Sequence, residues 1–244
     1  MPTPERRVQR VRHELRRREV HVVNVEQLGE SFVSVTFAGD ELATFVSASF
    51  DDHIKFMFTD ADGEVVKRDY TPRRFDCTKR EVTVEFAMHG DGKAASWAHS
   101  VTPGQQATIG GPKGSMIVAP EFDWHLLVGD ITALPAIHRR LEELPDTSRA
   151  IVLVQLESEG DRRAMGGPTR TDVQWLRSPD ELIDALRALS LPDGEGFAWG
   201  GGEASMMKRV RAVLVDEKGH PTEAMRVSAY WRKGASDFHE DLTG

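Results

Sequence analysis

The chain changes rhythm near residue 120, and that change limits its fold more than any other feature. Before it, short apolar-alternating segments follow one another at 20–25, 32–37, 54–58, 82–86 and 107–109. A period of two buries one face of a strand and exposes the other. Gly, Asp and Pro interrupt these segments, a pattern that predicts a small antiparallel barrel. One helix is predicted inside it, over 93–101, stopped by Pro103 and Gly104. After residue 120, buried-type strands at 124–128, 150–156, 196–199 and 225–230 alternate with helical stretches running to 144, over 179–189 and over 203–215. That alternation belongs to a parallel sheet covered on both faces. The expected fold class is a β-barrel plus α/β: an antiparallel barrel domain over residues 1–120, then a parallel-sheet domain over 121–244.

Charge and composition remove several classes of function. A formal net charge of −8 argues against a nucleic-acid partner, whose affinity would rest on neutralising phosphates. Arg6, Arg7, Arg10, Arg12, Arg16, Arg17 and Arg18 form the one dense basic run, read here as a solvated, partly frayed terminus. The single cysteine, Cys77, excludes an internal disulfide and any cysteine-cluster metal site. No apolar run has the length of a membrane span, and the Arg-rich start lacks a secretory core, so a cytoplasmic protein without membrane insertion is expected, with a monomer as the default. The nine histidines are scattered, and no His, Asp and Glu set at ligand spacing suggests a metal site.

Four stretches carry candidate chemistry. In RDYTPRRFD, residues 68–76, Arg68 and Tyr70 share one strand face. A guanidinium grips a diphosphate bidentately, and a tyrosine ring stacks on a flat heteroaromatic whose edge the Thr71 hydroxyl can bond. In MHGDGKAASWAHS, residues 88–100, glycines precede a helix start lined by small residues, a place suited to pyrophosphate. LLVGDITALPAI, residues 126–137, reads as strand, turn and helix with Thr132 as the cap. WGGGEASMMKRV, residues 199–210, offers Gly200, Gly201 and Gly202 for close backbone approach. Two strand–Gly–helix junctions opening on one sheet edge predict a dinucleotide. Arg162, Arg163 and Arg170 lie where a 2′-phosphate pocket or a solvated loop would fit equally.

Taken in order, R-x-Y-T, the Gly-rich helix start, GD-x-TALPAI, W-x-GGE and YWR-x-G resemble the siderophore-interacting proteins, over about residues 20–234. These are FAD-dependent ferric-siderophore reductases of the ferredoxin-reductase-like superfamily. The resemblance implies that the first domain is the FAD-binding barrel and the second the NAD(P)H-binding-like domain. It assigns Arg68, Tyr70 and Thr71 to the flavin strand, and His89, Gly90, Ala95, Ser96 and Trp97 to the flavin-phosphate segment, although the residue pattern alone puts Trp97 in the core. Asp130 and Thr132 match the segment near the isoalloxazine and nicotinamide, and Gly201 and Gly202 complete the nucleotide side. Lys55, Arg232 and Lys233 match the basic positions that hold an anionic ferric siderophore. No catalytic residue beyond the flavin is implied. The implied donor is NADH or NADPH, with a ferredoxin as the alternative. Ile131 stands where the family usually has Glu, and the proline common near Lys93 is missing. A flavin-dependent reductase of another acceptor and a non-catalytic siderophore-binding module are the rival readings.

Overall fold

The computed structural model describes residues 7–88, 92–235 and 240–242. The chain packs as two compact units with the break between Ala119 and Pro120; the turn Gly29–Ser31 groups with the second.

The first unit runs β1 (Val8–Arg12), β2 (Arg17–Leu28), β3 (Phe32–Ala38), β4 (Ile54–Thr59), β5 (Val65–Tyr70), β6 (Arg74–Asp76), β7 (Glu81–Ala87), α1 (Lys93–Ser100), β8 (Gln106–Gly110) and β9 (Gly114–Val118). Seven strands form an antiparallel sheet in the order β5-β4-β8-β2-β3-β7-β6. Strand β5 also contacts β7, so the sheet curls into a barrel-like form. Its core joins alternate strand residues such as Val20, Val35, Phe37, Phe56 and Phe86 with Trp97 of α1. The Trp97 ring lies 4.8 Å from Phe56 and 5.6 Å from Phe86, centroid to centroid. Aromatic pairs at such spacing add to the area each ring buries.

The basic terminus is the main departure from expectation in this unit. Residues 8–12 are not frayed: they pair in register with β9, from Val8 opposite Val118 to Arg12 opposite Gly114. A Cβ at Gly114 would meet the Val11 carbonyl oxygen at 2.4 Å, so glycine lets the two backbones close. Arg18 is buried, donating to the carbonyls of Gly111 (3.0 Å), Glu41 (3.3 Å) and Thr44 (3.4 Å), with its guanidinium 5.3 Å from the Phe45 ring centroid. Burial lowers its pKa, and the three carbonyls supply the partners a buried cation requires.

The second unit runs β10 (Trp124–Asp130), α2 (Leu134–Glu143), β11 (Arg149–Gln155), β12 (Arg170–Leu176), α3 (Pro179–Ala188), β13 (Gly196–Glu203), α4 (Ala204–Ala212), β14 (Met225–Trp231) and β15 (Glu240–Asp241). The sheet order is β12-β11-β10-β13-β14-β15, parallel except for β15. Every residue of β10 is buried, as a central parallel strand requires. Leu126 and Val128 pack with Leu182, Leu186, Met207 and Val210 of α3 and α4. Leu127 alternates to the other face and is equally buried, while α2 contacts β10 and β11. Strand β12 escaped the sequence reading because it is a sheet edge whose residues are half-buried at most.

Candidate functional site

In the first unit the chemistry gathers where β5 meets α1, elements that contact one another. Val66, Arg68 and Tyr70 alternate onto the inner face of β5: Val66 is buried in the core, and the Tyr70 ring lies 4.5 Å from Phe86. The phenol is desolvated, which raises its pKa against the opposing pull of Arg68, so Tyr70 stays neutral. The Arg68 guanidinium is half-buried and donates to the neighbouring Lys67 carbonyl at 2.7 Å, leaving most of its donor fork for a ligand. Thr71 follows at the strand's end, half-buried.

Helix α1 begins beside this strand, and among the described residues no side chain caps it. Its N-cap is Gly92, with nothing within 4 Å of where a Cβ would stand. Ser96 N–H returns to the Gly92 carbonyl (3.0 Å). Among the described residues, the first-turn N–H groups of Lys93, Ala94 and Ala95 have no acceptor. Uncapped donors at the positive end of a helix suit a phosphate. Ala95 is half-buried and the Ser96 side chain exposed, while the Trp97 indole is packed in the core. Trp97 is therefore a packing residue that fixes α1. His89 and Gly90 lie outside the described residues.

The other arginines of the opening stretch have separate roles. Arg73 is buried and paired with buried Glu85 at 3.4 Å, and Arg74 is exposed. Only Arg68 combines partial exposure with the inner face.

The carboxyl edge of the second sheet departs from expectation. Thr132 is not the cap: the Asp130 carboxylate caps the single turn 131–133 that leads into α2, accepting from Thr132 N–H at 2.9 Å and Thr132 Oγ1 at 2.5 Å, while α2 itself starts after Ala133. The second Asp130 oxygen accepts from Glu203 N–H at 2.7 Å and from the Trp231 indole N–H at 2.9 Å. With four donors and 3% exposure, Asp130 is engaged by the protein's own groups. Gly201 and Gly202 are also internal. A Cβ on Gly202, at φ +150°, would stand 2.6 Å from Asp130 Oδ2, and one on Gly201 would stand 2.9 Å from the Trp199 ring and 3.1 Å from Tyr230. Glycine at these two positions makes room for the protein's own side chains. At the next junction Glu203 caps α4, accepting from Ser205 N–H at 2.6 Å and Met206 N–H at 3.1 Å. Burial opposes ionisation of Glu203, but the Ser205 hydroxyl and the N–H groups of Met206, Ser205 and Lys233 outweigh it and hold its pKa below the ordinary value. Both junctions thus hold carboxylates against the N–H groups of the turns that follow.

The three candidate chelate-binding cations are placed differently. Lys55 stands opposite Asp69 on the outer face of the first sheet, away from the Arg68 and Tyr70 side, and its ammonium bonds that carboxylate at 2.9 Å. Arg232 and Lys233 follow β14 in the second unit and are exposed. Arg232 has Glu240 at 3.9 Å, and Lys233 donates its backbone N–H to Glu203. Arg162 is tied to Glu159 at 2.8 Å, and Arg170 begins β12 at the amino end of the sheet. Among the described residues, no group of three or more His, Cys, Asp or Glu is placed to hold a metal, and no helix is long and apolar enough to cross a membrane.

A curled antiparallel sheet followed in the chain by a mostly parallel α/β unit is the fold shared with a ferredoxin reductase in carbazole 1,9a-dioxygenase (TM-score 0.68, 19% identical, 86% of this chain and 66% of that one). The chain belongs to the siderophore-interacting protein family. The family's siderophore-interacting FAD-binding domain matches residues 21–67 and 59–116, and its siderophore-interacting protein domain matches 122–234. The NADPH-dependent ferric-chelate reductase of Escherichia coli is 30% identical over 245 residues, covering 91% of this chain and 96% of that protein. A siderophore utilization protein from T. fusca superposes with a TM-score of 0.89 at 30% identity, over 95% of this chain and 98% of that one.

Proposed function

We propose that the protein is an FAD-dependent ferric-siderophore reductase that takes electrons from NADPH and releases iron from its chelate as Fe(II). The observation that carries this reading is the uncapped α1 start beside the Arg68–Tyr70 face, a donor set that fits a flavin carrying a diphosphate. Bound there, FAD supplies acceptance of a hydride and one-at-a-time delivery of electrons, which a nicotinamide and a ferric ion cannot exchange directly. Arg68 grips the diphosphate, the N–H groups of Lys93, Ala94 and Ala95 with the Ser96 hydroxyl complete its cradle, and Tyr70 and Thr71 orient the ring. Family membership and the names of the relatives support the iron-chelate acceptor, and the Escherichia coli protein's name supports NADPH over NADH or a ferredoxin. Arg232 and Lys233, exposed in an acidic chain, attract the anionic chelate. Lys55, in the first unit, offers a further cation to an anionic chelate in competition with its Asp69 partner. We place the enzyme in the cytoplasm as a monomer.

The test begins with FAD incubation and gel filtration. A retained flavin band that bleaches with NADPH, and Fe(II) trapped by a chromogenic chelator when a ferric siderophore is added, supports the reading. Loss of flavin on the column sinks it. Flavin reduction with faster turnover on quinones or redox proteins moves the acceptor elsewhere, and chelate binding without flavin reduction leaves a sequestering module.

A further inference from the structure

The second unit carries a cleft at the amino end of its sheet, the end away from the edge where α/β sheets take nucleotides. Its volume is about 370 Å³. That is the lower end of the range for small-molecule sites and suits a compact metabolite. Glu121 and Asp123 line it just before β10, Thr147 and Ser148 just before β11, and Arg170 at the start of β12.

Several of these groups lack the partners that the fold would normally give them. Arg170 stands opposite Arg149 in the register of β12 on β11, so the two side chains leave the same sheet face side by side. Among the described residues neither guanidinium has a carboxylate or a hydrogen-bond acceptor. Like charges set directly opposite one another repel, so the pair is a cost that a bound carboxylate would offset. Ser148 is only 7% exposed, and its hydroxyl has no hydrogen-bond partner among the described residues. A polar group taken from water without a partner is likewise unfavourable. The other side of the cleft is acidic. Asp123 holds the Glu195 N–H through Oδ2 at 2.7 Å and leaves Oδ1 available, and Glu121 is exposed. Strand β11 lies between β10 and β12, which keeps the carboxylates and Arg170 on separate sides. A purely anionic ligand would face Glu121 and Asp123, and a purely cationic one would face the arginines. Only a molecule with both charges is complementary to the whole lining.

We propose that this cleft binds a small zwitterion of amino-acid size, with one carboxylate and one ammonium group. Arg170 takes the carboxylate bidentately, Arg149 adds its charge beside it, and the Ser148 hydroxyl donates to it. Asp123 and Glu121 receive the ammonium. The site stands apart from the flavin reading and holds whether or not that reading does.

The full-length, FAD-loaded protein is titrated with 4-aminobutyrate and with L-alanine, and then with butyrate and butylammonium, the two halves of the first probe. Side-chain Nε–H resonances of Arg149 and Arg170 report contact by NMR, and the melting temperature reports binding. At least one zwitterion should move both resonances and raise the melting temperature. Each half should bind about tenfold more weakly or worse, as loss of a charge-assisted contact predicts. Arg170→Gln should weaken the zwitterion by a similar factor. With no ligand it should raise the melting temperature at low salt, because the opposed pair is gone. Glu121→Gln should weaken 4-aminobutyrate while leaving butyrate bound no less well, a reversal that a merely structural role would not produce. If Arg170→Gln does not fold, Arg149→Gln carries the same expectations. The proposal is overturned if neither zwitterion binds at tens of millimolar, if a half binds as well as the whole, or if a folded arginine variant binds as the wild type does.

Discussion

The molecule contains two kinds of helix start, and the contrast between them assigns its chemistry. Among the described residues no side chain caps helix α1, which opens on Gly92 beside a half-buried arginine. The junctions after β10 and β13 carry the same strand–Gly–helix pattern, yet Asp130 and Glu203 fill them. An anion supplied by the chain and an anion supplied by a ligand compete for the same N–H groups. A junction that carries its own carboxylate is therefore stable without a ligand and a poor phosphate site. One left open depends on what binds it. Glycine serves opposite ends in the two settings: at Gly92 it keeps space clear, and at Gly202 the space is already taken by Asp130.

Substitution at these glycines should separate the two settings most sharply. Gly202→Ala places a Cβ against the Asp130 carboxylate at a φ of +150°. Clash and backbone strain together should cost about 3 kcal/mol or more, read from urea denaturation. Gly92→Ala, at φ −68° with open space around it, should cost about 1 kcal/mol at most, because alanine is only a slightly poorer cap than glycine. Equal losses would erase the distinction between filled and open junctions.

The second unit should also respond to acid in a way that depends on one buried histidine. His125 is buried in β10, and burial, then the charge of Arg140, lowers its pKa from 6.5 to about 4. Between those values the unfolded chain binds a proton that the folded chain refuses. Stability is fully present above pH 6.5 and falls as pH drops toward 4, by about 3 kcal/mol across the window. His125→Leu should flatten that part of the stability–pH curve. An unchanged slope would mean that another group controls the acid limit of this unit.

Much of the fold was legible because periodicity is a local property. The all-buried run of β10 and the alternation of β3 announce their environments within seven residues each. Strand β12 is a polar sheet edge, and β1 forms only by meeting β9 about a hundred residues later, so neither announced itself. The candidate site divided in the same way. Arg68 and Tyr70 share a face by simple alternation, and the structure keeps them there. The filling of the second-unit junctions depends on Glu203 N–H and the Trp231 indole reaching Asp130, contacts 73 and 101 residues apart in sequence. The local signal that was available, an Asp two residues before Thr132, is a capping pattern in its own right and marked the acid as the cap.

On the flavin side, Arg68→Ala should weaken FAD binding about a hundredfold while leaving the fold intact, since the side chain's one protein bond is to its neighbour's carbonyl. Quenching of flavin fluorescence on titration gives the Kd directly. Arg68→Lys should restore only part of the affinity, because an ammonium cannot make the bidentate contact. Undiminished FAD binding in Arg68→Ala would move the diphosphate away from this face.

The finest test converts the open junction into a filled one. Gly92→Asp gives α1 what the short turn after β10 and helix α4 already have, a carboxylate accepting from the first N–H groups. The site has room for it, and its backbone is extended, as an N-cap's should be. Without FAD, the variant should gain about 1 kcal/mol of stability from the new cap and its charge at the helix's positive end. With FAD, the same carboxylate occupies the N–H groups of the first turn and repels the diphosphate, so flavin affinity should fall as stability rises. Opposite signs in one variant would identify the missing cap as the binding site, because a residue that merely shaped the fold would move both quantities together. If Gly92→Asp stabilises the chain and binds FAD as the wild type does, the first turn of α1 is not where the diphosphate sits, and Arg68 must hold it alone.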